Sequence, residues 1–99
     1  MFDKMKQLME MQKKMQEIKR ELESAEFEVV SSDSLVRITM TAAQELKNIS
    51  IEKELPETDK AVLEKSIKDA YNKALKRSRE IAADKMKSIT GLNLPGMTP

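Results

Sequence analysis

The stretch DKAVLEKSIKDAYNKALKRSREIAADKMKSIT, residues 59–90, decides how the rest of the chain is organised. It contains no Gly or Pro, and its apolar residues recur at the three- and four-residue spacing of one helix face. At about 100° per residue, one side of the helix and its flank become apolar. The side holds Leu63, Ile67, Ala70, Ala74 and Ile81, and the flank holds Tyr71, Ala82 and Ile89. The sequence therefore predicts a long amphipathic helix with one buried stripe.

The opposite side of this helix is the most basic surface that the sequence predicts. Six basic residues and a single acid, Asp69, lie between positions 65 and 79. The basic residues are Lys65, Lys68, Lys73, Lys76, Arg77 and Arg79. Those at positions 65, 68, 76 and 79 share a wedge of about 80° opposite the apolar stripe. A solvated helix face is the ordinary explanation, but positive charge concentrated in this way makes the surface a candidate site for a polyanion.

The composition argues against several kinds of chemistry. Without Cys or His the chain has no disulfide, no thiolate and no histidine-based proton shuttle or metal site. It also has no Gly-rich phosphate loop and no nucleophile motif, since its two Gly lie at positions 91 and 96. We therefore predict that the protein is not an enzyme and has no catalytic residues, metal, cofactor or small-molecule substrate.

Two pairs of glutamates are candidates for paired carboxylates. Glu26 with Glu28, and Glu52 with Glu54, have the spacing that places both members on one face of a strand. The sequence marks no pocket, nucleophile or basic partner near either pair. We interpret both pairs as solvated strand faces.

Charge and hydropathy indicate where the protein works. The net charge is only +1, but residues 59–99 carry nine basic and five acidic residues, so the positive excess is local. The opening MFDKMKQ lacks the apolar core of a signal peptide, and no run approaches the roughly 18 apolar residues that span a bilayer. We expect a soluble, cytoplasmic protein with no membrane partner.

A first helix is predicted from Phe2 to about Ser24. Its apolar residues alternate spacings of three and four, the pattern of a helix-packing seam. The seam consists of Leu8, Met11, Met15, Ile18, Leu22 and Ala25. Met-rich surfaces can also hold peptides, and that alternative stays open beside the more usual packing role. The basic residues Lys13, Lys14, Lys19 and Arg20 make this helix a second candidate surface for a polyanion.

Between the two helices the apolar period changes from 3.6 to 2. Three short runs alternate apolar and polar residues, separated by polar turns at residues 31–34 and 42–45. Their apolar members are Phe27 and Val29, then Val36, Ile38 and Met40, then Leu46, Ile49 and Ile51. The sequence thus predicts an α+β fold: a long N-terminal helix, a three-stranded antiparallel meander and a long C-terminal helix. Thr58 or Asp59 is expected to cap the second helix, and residues 91–99 to form an irregular tail.

The lengths of these elements predict self-association. Strands of this size span roughly 20 to 30 Å, whereas the second helix spans about 45 Å. The helices must therefore overhang the sheet, and their apolar faces need further cover. We expect a homodimer, in which an edge-to-edge junction of the two sheets would also hide open strand edges.

Several segments in this order resemble the YbaB/EbfC family of bacterial nucleoid-associated proteins. They are the opening MKQLMEMQKKMQEIKRELE, LVRI at 35–38, QEL at 44–46 leading into ISIE at 49–52, AYNKA at 70–74, and LPG at 94–96. The resemblance covers essentially the full length and implies one domain of this family over residues 1–99. The chain departs from the family at Ser34 and Ala42, where the family often has Gly.

The resemblance implies a tweezer-like homodimer that binds DNA and organises the nucleoid. The residues themselves predict binding to duplex DNA mainly through phosphates and with weak sequence selectivity, because no aromatic platform or recognition-helix arrangement is present. Two alternatives belong to another class. The helices flanking a hairpin are also similar to prefoldin-like chaperone subunits, although they are short for that role, and a dimeric adaptor for another protein is a further alternative.

Overall fold

The structure, a computed structural model, describes residues 2–54 and 59–90. Its elements in chain order are α1 (Phe2–Ser24), β1 (Glu26–Val30), β2 (Val36–Thr41), β3 (Leu46–Ile51) and α2 (Lys60–Thr90). The strands form one antiparallel sheet in the order β1-β2-β3. The predicted α+β arrangement of helix, meander and helix is confirmed. The predicted tail over residues 91–99 lies outside the described residues, as does Thr58.

Helix α2 begins at a side-chain cap. The Asp59 carboxylate accepts a hydrogen bond from the backbone N–H of Ala61 at 2.8 Å, and the Asp59 carbonyl accepts one from Leu63 at 2.9 Å. A carboxylate at this position satisfies a backbone donor that the first helical turn leaves unpaired. Of the two predicted caps, Asp59 is the one that the structure shows in this role.

The core lies where α2 packs over β2 and β1. On the sheet side, Val36, Ile38 and Met40 are fully buried, and on the helix side Ala70 and Ala74 are fully buried. Small side chains on the helix allow its backbone to approach the sheet closely, which puts more of the bulky strand residues out of water. The predicted stripe therefore faces the core, although its flank residue Tyr71 remains 43% exposed.

Two buried members of the α2 line are serines, which the apolar pattern did not predict. Ser66 and Ser78 are 4% and 0% exposed and extend the spacing of four that runs through Ala70, Ala74 and Ala82. The Ser78 hydroxyl lies 3.0 Å from the carbonyl oxygen of Thr41. It lies at the same distance from the next carbonyl along the chain. A buried hydroxyl needs such a partner, so Ser78 fixes α2 to the end of β2.

The third strand has apolar residues on the helix side of the sheet that α2 leaves uncovered. A bulge opposite Thr39 and Met40 leaves Lys47 without a pairing partner, so that Leu46 and Ile49 share one face despite their odd spacing. Leu46 and Ile49 are each 43% exposed, and Ile51 is 38% exposed. The exposed apolar face formed by Leu46, Ile49 and Ile51 is called here the β3 face.

Helix α1 is divided into a packed half and a projecting half. Near its C-terminal end, Ile18 is buried and Glu21 lies 3.3 Å from Lys85 of α2. Toward its N-terminus, the large apolar side chains are 60–66% exposed: Met5, Leu8, Met9, Met11 and Met15. The described residues extend 67 Å in their longest direction. The packing predicted for the whole α1 seam therefore occurs within the chain only at its C-terminal half.

Both turns of the meander contain a residue in the left-handed backbone region. The φ angle is 63° at Ser34 and 63° at Gln44. Non-Gly residues adopt this conformation at a cost of roughly 1–2 kcal/mol, which Gly avoids. The departure from the family at Ser34 thus falls at such a position, whereas in the second turn it is Gln44, and not Ala42, that has this conformation.

Candidate nucleic-acid interface

Six basic side chains of α2 are exposed and form no ion pair with any described residue. Lys60 and Lys87 lie toward the two ends of the helix, and the other four lie between them: Lys65, Lys68, Lys76 and Arg79. On a helix these positions lie opposite the buried line from Ser66 to Ser78. Core packing thus holds one side of α2 against the sheet, and the four cations project from the other side. This set of four is called here the α2 ridge.

Lys73, which the sequence placed with the other cations, has structural partners. Its ammonium group donates a hydrogen bond to the Ser32 hydroxyl at 2.7 Å and lies 3.2 Å from the Asp69 carboxylate. Asp69 also accepts the backbone N–H of Ser32 at 2.8 Å. That backbone hydrogen bond and, after it, the Lys73 ammonium lower the pKa of Asp69. Lys73 therefore helps to hold the β1–β2 turn against α2.

Arg77 is likewise paired, because its guanidinium lies 3.3 Å from the Glu80 carboxylate one turn along the helix. Lys73 and Arg77 therefore differ from the α2 ridge, because each has an acid within 3.3 Å. Both pairings had a signal in the sequence, since Asp69 precedes Lys73 by four residues and Glu80 follows Arg77 by three.

A hydrogen-bonded carboxylate anchors the β1–β2 turn beside the start of the ridge. Asp33 accepts hydrogen bonds from the Ser31 hydroxyl at 2.6 Å, from the backbone N–H of Leu35 at 3.1 Å, and from the Ser66 hydroxyl of α2. These donors, Ser31 first and Ser66 second, lower the pKa of Asp33 to about 2. Because Ser66 lies next to Lys65, this network helps to fix where the ridge begins.

The second predicted set lies on α1. Lys13, Lys14, Lys19 and Arg20 are all exposed. Lys19 lies 4.0 Å from Glu23, whereas the other three form no ion pair with a described residue. The structure places this set on a different helix from the α2 ridge. Because α1 also carries several exposed acids, its surface has no comparable excess of positive charge.

The outer face of the sheet carries an ion-pair triad that the sequence reading missed. Arg37 of β2 lies 3.1 Å from Glu28 of β1 and 3.0 Å from Glu52, which follows β3. The two carboxylates raise the pKa of Arg37, with Glu52 the larger influence. The expectation that no basic partner lies near these glutamates is therefore wrong. The triad ties the three strands together on the face away from α2.

Fold and charge placement together define a class of protein in which a small sheet, flanked by two long helices, presents a basic helix face. The chain belongs to the YbaB/EbfC DNA-binding family, whose model matches residues 1–93. This membership confirms the resemblance seen in the sequence.

Two comparisons accompany the family match. A curated relative described as a nucleoid-associated protein, from Dictyoglomus turgidum, is 41% identical over 96 residues, covering 95% of this chain and 92% of that protein. The crystal structure of an uncharacterized protein from Helicobacter pylori matches with a TM-score of 0.66 at 21% identity. That match covers 86% of this chain and 98% of the other, and it shows a shared fold. Within residues 2–54 and 59–90, neither helix is long and apolar enough to cross a membrane.

Proposed function

We propose that this chain is a nucleoid-associated protein that binds duplex DNA as a homodimer, mainly through phosphates and with weak sequence selectivity. The observation that carries the proposal is the α2 ridge, whose four cations form no ion pair with any described residue. Because the net charge of the chain is only +1, a strongly basic surface requires cations to be concentrated on one side of the molecule, as they are in the α2 ridge. Membership in a DNA-binding family supports the same ligand, and the relative's description supports a location in the nucleoid.

The ridge suits phosphates better than base edges. Three of its four members are lysines, which bind phosphates as compact point charges. Tyr71 is the only aromatic residue of α2, and it lies on the flank of the packed side. Binding is therefore expected to depend on counterion release, to weaken steeply with salt and to vary little with sequence.

The β3 face supports the homodimer. Its three aliphatic side chains are partly exposed beside the core. Among the described strands β3 also has an edge that pairs with no neighbour. Unpaired edges and apolar surface are commonly covered by another chain. A second copy seated there would bury Leu46, Ile49 and Ile51 and leave both α2 ridges facing outward, so that one dimer would present two cationic surfaces.

A second candidate function rests on a different observation. The exposed methionines of α1 form a flexible apolar surface of the kind that can hold unfolded or partner proteins. A prefoldin-like chaperone or adaptor would use that surface and would not require the α2 ridge. Suppression of aggregation of a denatured test protein, undiminished by salt or added DNA, would favour this alternative.

A binding isotherm at several salt concentrations tests the proposed function. On a duplex of mixed sequence, log K should fall with log salt by about 0.9 for each phosphate contacted, or about 3.6 for the ridge of one chain. Changing Lys53 and Lys60 to Gln provides a control, because both are exposed cations outside the ridge. Absence of binding at low salt with micromolar protein would contradict the proposal, as would a slope near zero.

A further inference from the structure

The four cations of the α2 ridge are arranged symmetrically about Asn72. Lys68 and Lys76 lie four residues to either side of it, and Lys65 and Arg79 lie seven residues to either side. Four and seven residues correspond to rotations of about 40° and about 20° from the direction of Asn72. The ridge is thus two pairs of cations related by a local two-fold axis through an exposed amide.

The distance between the two pairs of cations is close to a distance between phosphates in duplex DNA. At about 1.5 Å per residue, the midpoints of the pairs are about 16 Å apart along α2. The major groove is about 12 Å wide and the minor groove about 6 Å, and phosphate centres lie roughly 6 Å farther apart than these open widths. The separation therefore matches phosphates facing each other across the major groove, at about 18 Å, better than those across the minor groove, at about 12 Å.

We propose that α2 lies crosswise over the major groove, with Lys65 and Lys68 on the phosphates of one strand and Lys76 and Arg79 on those of the other. This inference rests on the proposed function and specifies how the duplex is held. Because the strands are antiparallel, a two-fold axis relates the phosphates that face each other across a groove. The symmetric placement of the pairs about Asn72 fits that relation.

The crosswise orientation also explains why base reading is weak. A helix with side chains is about 10–12 Å thick and enters the major groove only when it lies along it. In that lengthwise position the ridge, confined to about 80°, would point at the groove floor and away from the phosphates. Lying across the groove, the same cations reach both backbones, and Asn72 stays above the base edges.

A charge-conserving exchange tests the spacing. The double change Asn72→Lys with Lys76→Asn keeps the composition and the exposed wedge but moves one cation about 6 Å toward the centre. We expect affinity to fall to that of Lys76→Gln, with the salt slope less steep by about 0.9 for each lost contact. Exchanging the exposed neighbours Lys87 and Ser88 is the matched control and should change nothing. Wild-type affinity and slope in the Asn72/Lys76 exchange would overturn the inference, while wild-type protein that fails to bind would instead reject the proposed function.

A second measurement identifies the groove. Duplex DNA containing glucosylated hydroxymethylcytosine has its major groove filled, whereas netropsin occupies the minor groove of A·T tracts. We expect the glucosylated duplex to bind at least tenfold more weakly than its unmodified counterpart, and netropsin to compete little. Equal affinity for both duplexes, or displacement by netropsin, would overturn the assignment to the major groove.

Discussion

Lys73 and Asp69 form a 3.2 Å ion pair on consecutive turns of α2, and both also hydrogen-bond to Ser32 in the β1–β2 turn. Lys73 therefore helps to hold the β1–β2 turn against α2, although the sequence alone groups it with the candidate DNA contacts. The same helix thus carries cations that have partners inside the chain, such as Lys73, and cations that have none among the described residues, which include the α2 ridge.

Reversing charge on the ridge should abolish most DNA binding. Changing Lys68, Lys76 and Arg79 to Glu removes three phosphate contacts from each chain and adds repulsion, so we expect a loss of roughly a hundredfold or more in affinity at low salt. Circular dichroism should be unchanged, because the three side chains lie away from the core. A matched comparison sets Lys68→Gln with Lys76→Gln against Lys73→Gln with Arg77→Gln, and the second of these variants should bind DNA far better than the first. Comparable losses in the two variants would contradict the distinction between paired and unpaired cations.

A charge on the β3 face should prevent dimer formation. Ile49→Glu would place a carboxylate where the proposed second copy needs an apolar surface, and desolvating an unpaired charge is unfavourable. Sedimentation should show a monomer at concentrations where wild-type protein is a dimer. Asn48→Glu is the control, since Asn48 is exposed and points to the other face of the same strand. A wild-type protein that sediments as a monomer would refute the dimer itself.

Removing the hydroxyl of Ser78 should destabilise the fold. Ser78→Ala removes the hydroxyl that the carbonyl groups of Thr41 and Ala42 share, although the Thr41 carbonyl keeps the backbone N–H of Gln44, and we expect the free energy of unfolding to fall by about 1 kcal/mol. Ser88→Ala makes the same chemical change at an exposed position of α2 and includes the same gain in helix propensity. Urea denaturation of both variants would isolate the contribution of the buried hydrogen bond. Equal midpoints would show that the hydroxyl adds nothing.

Stability should fall in acid because of Asp33. Its pKa is about 2 in the folded chain against 3.8 for the ordinary group, so the folded state holds its proton less tightly than the unfolded state. The stabilisation is therefore fully present above about pH 4 and is lost as the pH falls toward about 2. Urea midpoints measured between these limits should decline for wild-type protein. The decline should be smaller for Asp33→Asn, which cannot titrate, and parallel curves would contradict this role.

Glycine at position 44 should stabilise the second turn. Gln44 has a φ of 63°, a backbone conformation that is unfavourable for any residue with a Cβ atom and that Gly adopts without this cost. The change Gln44→Gly should therefore raise the free energy of unfolding by about 1 kcal/mol. Ala43→Gly, at an exposed neighbour outside that region, should instead lower it through added freedom in the unfolded chain. Thermal or urea denaturation of the pair would check both signs. A fall in stability for both would contradict the backbone explanation.

The sequence predicted the features of the fold that depend on the spacing of apolar residues along the chain. It did not predict the features that depend on contacts with residues far away in the sequence. The start of α1 at Phe2 and the end of α2 at Thr90 followed from uninterrupted patterns of apolar residues with a period of 3.6. Such patterns can be recognised without knowledge of the rest of the fold. Ser66 and Ser78 could not be assigned to the core, because the groups that accept hydrogen bonds from their hydroxyls include residues far away in the chain. The exposure of the β3 face was equally hidden, since β3 alternates like a covered strand while α2 sits over β2 and β1.

The residues of the candidate site were also predicted only in part. The angle of about 100° between successive residues was sufficient to predict which basic residues share one side of α2. It could not separate Lys73, whose second partner, Ser32, is 41 residues away in the chain. The pairing of Arg77 with Glu80 was local and could have been found from spacing alone.

The methionines of the projecting half of α1 are far more accessible to oxidants than the methionine in the core. Met5, Met9, Met11 and Met15 are 60–66% exposed, while Met40 in the core is fully buried. Oxidation to methionine sulfoxide follows exposure, so peroxide would reach the helical arm long before it reached the sheet. Sulfoxides there would make the arm polar and leave the packed half of the molecule intact. Among the described residues, the most oxidant-sensitive surface thus lies on the part of the chain whose large apolar side chains are the most exposed.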